Sequence, residues 1–186
     1  MRHLLRPGSR LSTGDIEPDT KDWTWVLAQP CPDCGFDPAH VPHTEVAARI
    51  AADATAWVDR LTRSGVKERP APGVWSVLEY GCHIRDVHRI FDHRVRLMLT
   101  EDEPRFPNWD QDATALADDY GSQDPAVVAR ELFDAATAVV DTYASVPVDA
   151  WSRRGLRSNG SEFTVATIAV YHLHDIVHHA WDVTPR

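Results

Sequence analysis

The sequence has no excess of basic residues. Its 19 Lys and Arg are outnumbered by 28 Asp and Glu, which gives a formal net charge of −9 at pH 7. A protein that binds nucleic acid usually presents a concentrated basic surface to neutralise phosphates. Because the lysines and arginines form no extended stripe, we expect no nucleic-acid partner.

Long apolar runs are also missing from the sequence. No segment approaches the roughly 20 consecutive apolar residues that span a bilayer, so we expect no membrane partner. The N-terminal segment MRHLLRPGSRLSTGD is positively charged but has no apolar stretch adequate for a secretory signal. Cysteine is scarce too, with three residues in 186, too few for a disulfide framework. These absences predict a cytoplasmic protein.

Four segments repeat apolar residues every three or four positions, which is the period of an amphipathic helix. Helices are predicted over residues 45–64, 76–99, 125–145 and 164–181, and Ser76 with Glu79 predicts a capping box at the start of the second. No segment alternates for long enough to predict a strand. The sequence therefore predicts an all-α protein, a four-helix bundle with long connections over 101–114 and 146–163. The first connection is a candidate lid or pocket wall.

The N-terminal part has a different composition from the rest. Residues 22–42 contain four prolines among aromatic residues and cysteines, a density that excludes a long helix. We therefore expect two parts, an irregular arm over residues 1–43 and the helical bundle over residues 44–186.

Histidine is abundant, with 10 residues, and four of these lie within the segment YHLHDIVHHAWDV (171–183). His174 and His178 are four residues apart, so both imidazoles lie on one face of a helix and can reach one cation. His83, on the apolar side of the second helix, can meet them inside a bundle. Three imidazoles with open positions are typical of a catalytic metal site rather than a closed structural site. The alternative is that these are core or surface histidines without a metal.

The carboxylates Asp86, Asp175 and Asp182 are close in sequence to the three histidines. Imidazoles that bind a metal usually donate their second N–H to a carboxylate or carbonyl. Each of the three aspartates is a candidate for that orienting role, and the sequence does not choose among them.

The arm contains a second candidate site in CPDCGFD (31–37). A C-x-x-C turn followed by glycine lets two thiolates converge on a zinc ion, and His40 and His43 could complete a set with Cys31 and Cys34. A redox-active cysteine pair and a plain turn with small buried thiols are the two alternatives.

Two segments resemble the DinB superfamily of metal-binding four-helix bundles, which includes mycothiol-dependent maleylpyruvate isomerase and the bacillithiol and mycothiol S-transferases. They are GVWSVLEYGCHIRDVHRIFDHRV (73–95) and FTVATIAVYHLHDIVHHAWDV (163–183). The resemblance implies metal ligands at His83, His174 and His178 and a divalent ion such as Zn²⁺ or Ni²⁺. The sequence departs from the family pattern after His178, where many members have Arg-Gly-Gln and this chain has His-Ala-Trp.

The resemblance also implies an activity. Characterised members activate a low-molecular-weight thiol, so we expect a metal-dependent transferase or isomerase that acts on a small molecule, with mycothiol as one candidate thiol. Hydrolysis by a metal-activated water is also open. Bundles of this type often form homodimers, which we expect here too. The alternative is a non-catalytic metal- or small-molecule-binding protein of a stress response.

Overall fold

The computed structural model describes Ile16 and residues 21–184. Within these residues it has five helices and three short strands. The helices are α1 (Val46–Leu61), α2 (Val77–Thr100), α3 (Gln111–Ala117), α4 (Pro125–Ala144) and α5 (Val165–Asp182). The strands are β1 (Arg105–Phe106), β2 (Arg154–Arg157) and β3 (Glu162–Thr164).

The four long helices form the predicted bundle, in which α1 and α2 each pack against both α4 and α5. The buried stripe of α1 follows the predicted helical period. Trp57 at its centre is fully buried. The stripe consists of Val46, Ile50, Ala54, Trp57 and Leu61. The four-helix class predicted from the sequence is confirmed.

A capping box fixes the start of α2, as the sequence predicts. The Ser76 hydroxyl accepts a hydrogen bond from the backbone N–H of Glu79 at 3.2 Å, and the Glu79 carboxylate accepts one from the backbone N–H of Ser76 at 2.8 Å. Arg69 donates from Nε to the same carboxylate at 3.0 Å. Since these groups are buried and mutually satisfied, the first turn of α2 is held firmly, one turn before His83.

A small sheet joins the two long connections, which the sequence predicted to lack strands. β1 runs parallel to β2, with Arg105 opposite Leu156, and β2 runs antiparallel to β3, with Gly155 opposite Phe163. Strands of two to four residues are too short to show a period of two, which explains why the pattern was missed. The sheet anchors the connection that leads from α2 to α3 against the segment that enters α5.

Gly155 is the tightest point of this sheet. A Cβ at this position would lie 2.8 Å from Met98 Cγ and 2.8 Å from Phe106 Cε1, both in buried residues. We expect Gly155→Ala to destabilise the protein by about 1–3 kcal/mol through overpacking, measured by denaturant unfolding. Gly121→Ala is the control, because its Cβ would meet Glu79 Oε1 at an ordinary 3.6 Å. Equal stability of the two variants would contradict the packing described.

The N-terminal arm lies against α5. A short 3-10 helix of the arm, Trp23–Leu27, contacts α5. Two side chains of the arm, Val26 and Cys31, are buried. The backbone of the C-x-x-C turn closes on itself, since Cys31 N–H donates to the Phe36 carbonyl at 2.8 Å and Gly35 N–H to the Cys31 carbonyl at 2.9 Å. Residues 1–15 and 17–20 of the predicted arm lie outside the described residues.

A membrane span was not expected from the sequence. Among the helices of the described residues, none has both the length and the apolar character that crossing a bilayer requires.

Asp53 on α1 predicts a specific pH dependence of stability. Burial raises the pKa of Asp53 to about 6, although Arg60 and Trp57 oppose the shift. The unfolded pKa is about 3.9, so the folded state binds more protons and the free energy of unfolding falls as pH rises from about 4 to 6. Asp53→Asn removes this loss. We expect its stability gain over the wild type to grow across that range to about 1–3 kcal/mol and then level off.

The measurement is denaturant unfolding of the wild type and Asp53→Asn between pH 4 and pH 8. Taking the difference between them cancels the titration of the buried histidines. Asp59→Asn removes the same charge from an exposed position of α1 and is the matched control. A gain for Asp53→Asn that does not change with pH would show that the carboxyl is not held in this way.

Candidate metal centre

Helix α5 presents two pairs of potential ligands that interleave along its length. His174 and His178 form one i, i+4 pair, and Asp175 and His179 form the next. Adjacent residues of an α-helix are rotated by about 100°, so the two pairs project from neighbouring faces. Asp175 and His179 meet His83 of α2, whereas His174 and His178 meet the cysteines of the arm, so two clusters of potential metal ligands result, and all four α5 residues line one cavity.

The His83 cluster consists of His83, Asp175 and His179, and the cysteine cluster consists of Cys31, Cys34, His174 and His178. In each cluster, one ligand atom from every residue lies within 4.8 Å of the others.

The His83 cluster joins α2 to α5. His83 Nε2 lies 3.4 Å and His179 Nε2 lies 3.3 Å from the same oxygen, Oδ1 of Asp175. His83 is fully buried, and its ring stacks on Trp109 at 5.2 Å between centroids with 9° between the planes. Trp109 is positioned in turn by its hydrogen bond to Thr114, at 2.7 Å. Two imidazoles therefore converge on one carboxylate oxygen between α2 and α5.

Asp182 supports this cluster from the next turn of α5. Its Oδ2 lies 2.8 Å from His179 Nδ1, so it fixes the ring orientation that directs Nε2 towards Asp175. Tyr80 packs against the His179 ring, with 5.1 Å between centroids. Burial raises the pKa of Tyr80, as do the charge of Asp182 and a hydrogen bond to it. The phenol therefore stays protonated and donates to Asp182.

The charges of the cluster are balanced by a proton on His179. Burial would lower the pKa of His179, but its hydrogen bonds to Asp175 and Asp182 raise it to about 9. Burial would raise the pKa of Asp175, but the hydrogen bonds from His179 and His83 hold it well below its usual range. Burial lowers the pKa of His83, which is neutral at pH 7. One cationic imidazole thus lies between two carboxylates.

A cavity of about 270 Å³ opens beside the His83 cluster. Asp175 and His179 line it, and Gln111 and Asp112 contribute from the start of α3, at the end of the connection predicted as a pocket wall. Among the described residues that line the cavity there is no Lys or Arg. Its other lining residues include the aromatic side chains Trp23, Trp75, Tyr80 and Tyr171.

The cysteine cluster joins the arm to α5. Cys31 Sγ lies 3.6 Å from His178 Nδ1, across 147 positions of the chain. Burial lowers the pKa of His174 to about 4 and also lowers that of His178, so both imidazoles are neutral at pH 7. Burial raises the pKa of the Cys34 thiol to about 11. All three cysteines of the chain, Cys31, Cys34 and Cys82, are free thiols.

The structure groups the predicted ligands differently from the sequence expectation. His83 meets Asp175 and His179, whereas His174 and His178 meet the two cysteines, so the expected set of three histidines is divided between two clusters. The reason is the rotation of α5, which turns Asp175 and His179 towards α2. Whether a metal binds at either cluster stays a prediction.

His40 and His43 lie outside both clusters. His40 is exposed and pairs with Asp37 at 2.7 Å, and the His43 ring packs on Trp151 at 4.5 Å between centroids. Each of the two histidines lies in a short 3-10 helix, Pro38–His40 and His43–Glu45.

Sequence reasoning did not group Asp175 and His179 with His83. Asp175 was expected only to orient a ligand and His179 was not among the candidate ligands, although the two share the i, i+4 spacing that singled out His174 and His178. That spacing was the available signal. Of the other two acids, Asp182 contacts His179, and Asp86 instead pairs with Arg85.

The fold and the two clusters define a helical bundle with metal-ligand side chains on its second and last long helices. The model of the DinB superfamily matches residues 47–183. The chain belongs to the DinB superfamily.

Comparison with solved structures gives the same fold. YfiT from Bacillus subtilis, described as "a probable metal-dependent hydrolase with an unusual four-helix bundle topology", matches with a TM-score of 0.63 and 20% sequence identity. The match covers 75% of this chain and 81% of YfiT. No curated protein matches the chain.

Proposed function

We propose that the protein is a metal-dependent enzyme whose cation is bound by His83, Asp175 and His179. The observation that supports this most directly is the convergence of two Nε2 atoms on one carboxylate oxygen beside a cavity. A site with two imidazoles and one carboxylate leaves coordination positions open, as catalytic centres require.

The surrounding residues fit a divalent cation such as Zn²⁺ or Ni²⁺. Metal-bound histidines usually have an outer carboxylate on the second nitrogen, and Asp182 occupies that position for His179. His83 is neutral at pH 7, which is the form that binds a metal. In the described residues, a proton on His179 supplies the positive charge between Asp175 and Asp182 that a cation would replace.

A divalent cation bound here would supply Lewis acidity that lowers the pKa of a thiol or water ligand. The protein's own residues supply orientation and an enclosed environment. Asp182 and Tyr80 fix the ring of His179, Trp109 fixes the ring of His83, and the aromatic walls of the cavity limit the access of water.

The cavity lining indicates the kind of substrate. Carboxylates of Asp112, Asp175 and Asp182 line it together with the aromatic rings of Trp23, Trp75, Tyr80 and Tyr171. We infer that the substrate is a small molecule with an apolar or aromatic portion.

The reaction that the family resemblance favours is thiol-dependent transfer or isomerisation, with mycothiol as the candidate thiol. Hydrolysis is the second candidate, because YfiT, which has a similar fold, is described as a probable metal-dependent hydrolase. The two reactions differ in one requirement, since only the first needs a thiol. Free thiols at Cys31 and Cys34 suit the reducing cytoplasm in which we expect the protein, and a homodimer stays a prediction.

Metal binding at the His83 cluster is tested with Asp175→Asn. We expect the variant to bind Zn²⁺ or Ni²⁺ more than about 100-fold more weakly at this site, because one ligand charge is lost. The measurement is calorimetric titration of metal-stripped protein in a Cys31→Ser/Cys34→Ser background, which removes both sulfur ligands of the cysteine cluster. Asp112→Asn is the matched control, since Asp112 lines the cavity but lies outside both clusters. Equal weakening by both variants would contradict the ligand assignment.

The reaction class is tested by supplying or omitting a thiol. We expect the metal-loaded protein to conjugate chlorodinitrobenzene with mycothiol, and Asp175→Asn to lose about 10- to 100-fold of that rate. Product is followed by absorbance. Cleavage of a p-nitrophenyl ester without thiol would favour hydrolysis instead. Bound metal without turnover in either assay would favour the non-catalytic metal-binding protein.

A further inference from the structure

The cysteine cluster lies outside the proposed catalytic set and contains four potential ligands of its own. We infer that Cys31, Cys34, His174 and His178 bind a structural Zn²⁺ ion that fastens the N-terminal arm to α5. This inference does not depend on any catalytic activity of the His83 cluster.

The ligand atoms are already gathered. Each of the four residues offers one atom within 4.8 Å of the others, and Cys31 Sγ lies 3.6 Å from His178 Nδ1. Nε2 of His174 is buried and makes no hydrogen bond within the described residues. A buried polar atom without a partner is costly. Coordination is the interaction that would compensate for this cost.

The C-x-x-C turn has the backbone that two thiolate ligands need. Gly35 adopts a φ of 72°, a left-handed conformation that glycine reaches without strain. This conformation lets the chain turn back, so that the N–H of Phe36 points at the Cys34 sulfur. The turn therefore brings the Cys31 and Cys34 sulfurs within 4.8 Å of each other, as two ligands of one ion require.

Most of the cysteine cluster is buried. Cys31 is 1% exposed, His174 3% and His178 9%, whereas Cys34 is half-buried and the two histidines also line the neighbouring cavity. Rings of the arm cover the imidazoles, with Trp23 at 5.0 Å from His178 and Phe36 at 5.3 Å from His174 between centroids. Four protein ligands would complete a tetrahedral shell, which is typical of structural zinc and leaves no coordination position for a substrate.

The donor types favour zinc over harder cations and over a disulfide. Two thiolates with two imidazoles form a set that zinc prefers, whereas Mg²⁺ and Ca²⁺ prefer oxygen ligands. A disulfide between Cys31 and Cys34 would use both sulfurs and leave His174 without a partner. The two histidines next to the thiols therefore distinguish this cluster from a redox pair.

The zinc would also shape the neighbouring cavity. Trp23 contacts both histidines of the cluster and lines the cavity beside the His83 cluster. Each zinc ligand on α5 directly precedes a residue of the His83 cluster. A metal that fixes the arm thus also fixes one wall of the candidate active site and the helical turn that presents Asp175 and His179.

The experiment uses Co²⁺ as a spectroscopic probe of the full-length chain. Metal-stripped wild type given Co²⁺ is expected to show sulfur-to-cobalt charge transfer in the near ultraviolet and strong visible bands of a tetrahedral site. Zn²⁺ should displace both signals. Cys34→Ser should lose the charge-transfer band and about one equivalent of zinc per chain. Asp175→Asn should retain the charge-transfer band and the zinc bound by the cysteines, because the His83 cluster contains no sulfur.

Cys82→Ala is the matched cysteine control, since Cys82 is buried in the bundle and lies outside both clusters. It should retain the band. If Cys34→Ser does not fold, thiol alkylation of the wild type followed by mass spectrometry provides the second measurement. A chelator should increase labelling of Cys31 and Cys34 but not of Cys82, and zinc should restore their protection.

Four results would overturn the inference. Three are an absence of sulfur-to-cobalt charge transfer in the wild type, a band of undiminished intensity in Cys34→Ser, and a Cys31–Cys34 disulfide without metal in protein purified under reducing conditions. The fourth is loss of the band in Asp175→Asn, which would assign the thiolate ligation to a site shared with the His83 cluster.

Discussion

The arrangement of the candidate site depends on the rotation of one helix, α5, between two neighbours. α5 packs against α2 on one side and against the N-terminal arm on another. Potential ligands occupy the successive positions 174 and 175 of this helix and, one turn later, the successive positions 178 and 179. Because successive residues are rotated by about 100°, one helical turn serves two clusters at once. A small rotation of α5 would separate His83 from Asp175 and the cysteines from His178 together.

Burial of so many polar groups is expensive, and the bundle compensates for it unevenly. The buried histidines His88 and His172 hydrogen-bond each other at 3.0 Å, and Tyr143 meets His172 at 3.1 Å. Both ring nitrogens of His172 are therefore satisfied. His88 Nε2, His83 Nδ1 and His174 Nε2 are buried without a hydrogen-bond partner among the described residues. What distinguishes His83 and His174 from His88 is that other potential ligand atoms lie within 4.8 Å of them.

Membership of the DinB superfamily accounts for residues 47–183, and the arm lies before that region. The arm contributes Cys31 and Cys34 to one cluster and Trp23 to the cavity wall. These three residues therefore lie outside the region that the family model matches. The bundle supplies the His83 cluster by itself, through α2 and α5.

The sequence alone determined the elements of the fold. The apolar stripes of α1 and α4 and the capping box at Ser76 follow from local period and chemistry. The limits of the four long helices agree with the prediction to within one residue, except that α1 ends at Leu61, three residues before the predicted end. The three strands could not be predicted, because two to four residues are too few to show a period of two. The sequence also identified the histidine-rich turn and the C-x-x-C turn as the chemistry of the protein. It could not pair them, because His174 with His178 and Asp175 with His179 have the same spacing. Only the tertiary packing decided which pair meets His83 and which meets the cysteines, since the rotation of α5 is set by its contacts with α2 and the arm.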